Sequence, residues 1–283
     1  MRSLLPAGLI AWLLVSLGPG LSPAQAPGAL RQRHPWARFE PGAWKLVRVV
    51  TETFDEQGAL ANTSTTETRT TLKQVDADGV TLLIEVVVEI GGRRLDAEPQ
   101  EVRQGFHGEL AGQQVKVTDG GPATVTIDGR PYPCQIEQTQ CISANSLIVT
   151  KTYYSATVAP YALKLESTTT DLQTGAKLSE TDWQVTSLGT SCRVLKQPRN
   201  AAQVTSVHRH TRGTTTTVTA TSIDVPGGII CHSAKEVDAN GRLVRRSTLE
   251  LVAYGLDPDD GRAGPLRRNR PWLRHRANTP PLR

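Results

Sequence analysis

The side chains best suited to chemistry in this 283-residue chain are six histidines and four cysteines. The closest grouping is His208-Arg209-His210. On a β-strand alternate side chains share a face, so the two imidazoles would sit about 7 Å apart. Cys231 and His232 fall in a neighbouring strand-like run. His208, His210 and His232 together have the donor types of a zinc site. Their spacing matches no established ligand pattern, and paired strand histidines are more often surface residues. Nucleophilic catalysis needs a serine or cysteine beside a histidine and an orienting carboxylate. No Gly-x-Ser-x-Gly elbow and no phosphate-cradling glycine loop occurs. Glu85 and Glu89 take outward strand positions, which suits solubility better than acid–base work. No catalytic residue and no cofactor is expected.

The cysteines are Cys134, Cys141, Cys192 and Cys231. The first two lie seven apart on one strand-like run. At about 3.3 Å per residue their Cα atoms would be roughly 23 Å apart and on opposite faces. A disulfide needs about 4.4–6.8 Å. That leaves Cys134 or Cys141 to pair with Cys192 or Cys231, in an open order, with free buried thiols as the alternative.

These residues must be positioned by strands. Residues 80–90 alternate throughout: Val80, Leu82, Ile84, Val86, Val88 and Ile90 share one face. That period of two predicts a strand half in a core, and the β-branched density argues against a helix. Residues 43–54 repeat the pattern with Val47, Val49 and Thr51 on one face. Residues 59–75 are Thr-rich and read as a strand with one wet side, near an edge. Residues 93–113, broken by Pro99, read as a loop or a short helical turn. Gly-containing turns at 55–58, 76–79, 128–129, 171–175 and 238–241 punctuate about a dozen strands. The fold class is all-β: one large curved antiparallel sheet, a half-barrel or barrel-like meander, with few or no helices.

A second organising feature is self-similarity at an offset of 66 residues. Pro160, Ser167, Gly175 and Gly189 recur as Pro226, Ser233, Gly241 and Gly255. Segments 134–189 and 192–255 would then be two copies within a single β domain covering 37–255. Two β subdomains meeting near residue 189 are the alternative.

The ends differ in character. Residues 1–26 carry Arg2, an apolar run and Ala24-Gln25-Ala26, the pattern of a secretory signal peptide. Export to the periplasm or beyond is the expectation, and it permits disulfides. Residues 27–36 form a Pro-rich lead expected to be disordered. Residues 262–283 hold seven arginines and no acid, against a chain total of +5, so the body of the protein is mildly acidic. The tail from 256 onward is expected to be disordered. Its Arg267, Arg268, Arg270, Arg274 and Arg276, around Trp272, could grip an anionic surface. Nucleic acid is not the expected partner of an exported chain. Oligomeric state is not legible.

Residues 154–166, Tyr-Ser followed by Val158-Ala159-Pro160-Tyr161-Ala162-Leu163-Lys164-Leu165-Glu166, resemble secreted bacterial lipoprotein carriers of the LolA/LolB type. Pro41-Gly42-Ala43-Trp44 has a similar flavour. The resemblance implies a half-barrel whose concave face shelters acyl chains, with lipid as partner. The functional expectation is a non-enzymatic exported β protein that binds an apolar or envelope-associated ligand. Val80, Leu82, Ile84, Val86, Val88, Trp183 and Val185 are the candidate lining residues. An envelope structural protein tethered by its basic tail, and a hydrolase or metal-dependent enzyme with a dispersed site, are the alternatives.

Overall fold

A computed structural model describes residues 31–195 and 197–257. Among them are fourteen strands: β1 Trp44–Phe54, β2 Leu60–Val75, β3 Gly79–Ile90, β4 Arg93–Asp96, β5 Gln100–Gly105, β6 Val115–Ile127, β7 Arg130–Ser143, β8 Ser146–Tyr154, β9 Ala162–Asp171, β10 Lys177–Val194, β11 Gln197–His210, β12 Gly213–Thr221, β13 Ile229–Asp238 and β14 Leu243–Gly255. All belong to one antiparallel sheet of order β4-β3-β2-β1-β14-β13-β12-β11-β10-β9-β8-β7-β6, with β5 also on β3. The all-β class read from alternation is the class observed. The sheet is curved and does not close into a barrel.

The turns explain why successive strands pair. In residues 55–59 and 238–242 the first Asp side chain accepts from the amides two and four residues on. The fourth residue, Gly58 or Gly241, has φ +79° or +82°, a region costly for any residue with a Cβ. One region of the sheet differs from the sequence reading. Residues 93–113 contain β4 and β5, which share the outer margin of β3 and are separated at Pro99. A broken, proline-interrupted margin limits edge-to-edge association. As read from the sequence, β2 lies near an edge: it pairs with β1 and β3, and only β3 separates it from the β4–β5 margin.

The first and last strands are neighbours in the middle of the sheet, Val49 opposite Leu249. Residues 106–114 carry the chain from the β3–β5 margin to β6 at the far margin. Nine residues reach about 30 Å at most, so the sheet must curl until its margins approach. Polar groups tie this connection to β7. His107 Nδ1 lies 3.6 Å from Glu137 Oε1, and Gln113 donates to Ser143 Oγ at 3.0 Å.

The inner face divides into two halves. In one, the β6–β7 hairpin bends over so that Val125, Ile127 and Cys134 pack on Leu163, Val185 and Val204. This half fills itself. In the other, residues 34–39 form a plug over one end. Trp36 and Ala37 pack with Leu72, Val80, Leu82 and Phe106. His34 Nδ1 accepts from the amides of Trp36 and Ala37, which closes the plug's turn. The lead over 27–36 was expected to be disordered. Its described part is instead anchored, with His34 and Trp36 buried, because their partners come from β2, β3 and residue 106 rather than from local pattern. The signal-like residues 1–26 and the basic tail from 258 lie outside the described residues.

Candidate ligand cavity

Between the plug and the open end, the inner face of β12–β14 and β1–β3 bounds a cavity of about 230 Å³. Strand register builds its wall in rows. Lys45, Thr70 and Ile84 are paired in the row nearest the plug. Val47, Thr68 and Val86 follow, then His232, Leu249, Val49, Thr66 and Val88. Beyond them come Thr217, Ala234, Ser247, Thr51, Ser64 and Ile90, and last Thr215, Glu236 and Arg245. From Lys45 to the last row is eight residues along β1, about 26 Å. The wall is thus long, narrow and mostly Val, Ile, Leu and Thr. The one-sided Thr run of β2, read from sequence as the wet side of a strand, faces this cavity.

Charge is placed at the two ends. At the outer end Glu236 pairs with Arg245 and its other oxygen lies 3.7 Å from His210 Nε2. At the plug end, Lys45 Nζ lies 5.4 Å from the centre of the Trp36 ring and donates to the Gly227 carbonyl at 3.4 Å. Among the described residues it forms no ion pair. Lys45 retains some accessible area, which it shares with the cavity it lines, yet burial lowers its pKa from the usual value to about 8. Burial likewise lowers His232, keeping that wall residue toward its neutral form. His34 in the plug is lowered to about 3, by burial and then by Arg38.

The sequence-derived lining set therefore divides three ways. Ile84, Val86 and Val88 line the cavity. Val80 and Leu82 share their face but lie beneath the plug. Val185 is core in the filled half and Trp183 packs against it. Lys45 was missed, although strand parity could have found it: it shares a face with Val47, Val49 and Thr51.

The histidines do not assemble into one site. His208 and His210 share a face as expected, ring centres 5.5 Å apart, and His208 Nδ1 is 2.8 Å from Thr181 Oγ1. His232 lies four residues from Glu236 along β13, about 13 Å. Among the described residues no group of three or more His, Cys, Asp or Glu is placed to hold a metal. The cysteines depart from the expected cross-pairing. All four are free, and the side chains in contact are Cys192 and Cys231. Cys134 is buried in the filled half, and Cys141 borders solvent on the opposite face of β7. The arginines proposed to grip an anionic surface, Arg267, Arg268, Arg270, Arg274 and Arg276, lie outside the described residues.

No protein-family model matches the chain, and no curated protein does. The resemblance to lipoprotein carriers thus stands on its own residues. Among solved structures, a proposed lipoprotein from Parabacteroides distasonis is 11% identical with a TM-score of 0.30, covering 75% of this chain and 95% of its own. A proposed exported protein with a YmcC-like fold from Bacteroides fragilis is 9% identical with a TM-score of 0.31, covering 77% of this chain and 97% of its own. Likeness at that level does not define a common fold.

Proposed function

We propose that this is an exported, non-enzymatic binding protein that holds an apolar, envelope-associated ligand, with lipid the leading class, against the inner face of its curved sheet. The observation that carries the reading is the cavity of about 230 Å³ walled by Val47, Val49, Ile84, Val86 and Val88. Folded chains fill their interiors closely, and an unfilled apolar volume loses dispersion contacts along its whole lining. A ligand would restore them. Export rests on the signal-like pattern of residues 1–26. Periplasmic and extracellular placement both suit it.

Native mass spectrometry of the protein purified from its own envelope tests this. The expected result is a co-purifying lipid released on unfolding. An apo mass throughout, with no uptake of added lipid, would overturn the reading.

A further inference from the structure

We infer that the cavity takes the head of a singly charged anionic amphiphile, a long-chain carboxylate, at Lys45. This rests on the ligand-binding reading above and names its ligand class. Three observations converge. The titratable groups of the wall are Lys45, His232, Glu236 and Arg245, with His210 facing Glu236 from β11. Glu236 and Arg245 compensate each other at the outer end. The wall is left with one cation in excess, and it lies at the plugged end beside Trp36.

The second observation is independent of charge. Thr68 is 4% exposed, lines the cavity, and its hydroxyl has no hydrogen-bond partner among the described residues. It lies one row from Lys45 and diagonal to it across the β1–β2 pair, within reach of the same small group. A buried hydroxyl without a partner is unfavourable unless something else accepts from it. A carboxylate oxygen does so while its partner oxygen meets the ammonium.

The third is the gradient along the wall. From the Lys45 row outward the next three rows carry Val47, Val86, Val49, Val88, Leu249 and Ile90 with small hydroxyls between. An alkyl tail leaving a head at Lys45 runs along them toward the Glu236–Arg245 end. A dianionic phosphate monoester would leave one charge uncompensated against this wall, so a monoanion is favoured.

The test compares dodecanoate with dodecanol on the full chain at pH 7, using titration calorimetry. The expected result is that the acid binds at least tenfold more tightly than the alcohol. Lys45→Met should erase that difference, and a cooperative urea transition shows that the variant is folded. Thr68→Val should weaken the acid alone, by a smaller factor. Equal affinity of acid and alcohol in the unaltered protein, or acid binding unaffected by Lys45→Met, would overturn the inference and leave the cavity reading standing. Binding of neither probe would overturn both.

Discussion

The two halves of the inner face share one sheet and one register, yet one is filled and the other hollow. A single row shows the contrast. Val185 and Val204 pair across β10 and β11 and are fully buried under the β6–β7 hairpin. Followed through β12 to β14 and β1, the same row reaches Leu249, Val49 and Val88 in the cavity wall. The side chains are alike in kind. What differs is the covering: a hairpin long enough to bend over the first half, and only the short plug, residues 34–39, over one end of the second. Hollowness here is a property of the connections rather than of the strands.

That contrast can be broken in several places. Trp36→Ala should have the largest effect, about 3–5 kcal/mol in urea unfolding, because it removes the plug's main apolar contact with Leu72, Val80 and Leu82. Leu163→Ala, fully buried in the filled half, should cost about 2–5 kcal/mol. Val86→Ala should cost less than about 1 kcal/mol, since one side of Val86 already faces empty volume. Equal losses for Leu163 and Val86 would mean that both halves are packed.

Lys45 sharpens the comparison through pH. Its folded pKa of about 8 lies below the usual lysine value of 10.5. Between those values the unfolded chain binds the extra proton, so stability should rise with pH across that window. Below pH 8 the full penalty applies, at most about 3 kcal/mol at 1.36 kcal/mol per unit. Lys45→Met should therefore stabilise the protein at pH 7 and flatten the rise above pH 8, read from urea midpoints at both pH values. Destabilisation at pH 7 would place the ammonium in a solvated setting.

How much of this was legible beforehand follows from which interactions are local. Alternation over residues 80–90 and the Asp- and Gly-bearing turns are local, and they located β3 and the meander correctly. The face shared by Ile84, Val86 and Val88 followed from parity alone. What parity could not say is what lies opposite a face. Val80 and Leu82 have the same pattern as Val86 and Val88, and only the arrival of residues 34–39 makes the first pair core. The plug itself has no periodicity to read. Lys45 sat in plain view on the face of Val47 and Val49, but a lone lysine in a strand reads as a surface charge until its neighbours are known. The thiol pair was misjudged for a related reason: Cys192 and Cys231 meet through folding of the sheet, which strand-by-strand reading does not supply.

The most direct test of the hollow half is to fill it. Val49 lies mid-wall, so Val49→Trp places a large ring in the empty volume. An apolar fluorescent dye, N-phenylnaphthylamine, should light up on binding the unaltered protein at one site, and Val49→Trp should abolish that signal while leaving the urea midpoint equal or higher. Undiminished dye binding in a variant that remains folded, or a variant that unfolds because the ring has no room, would contradict the account.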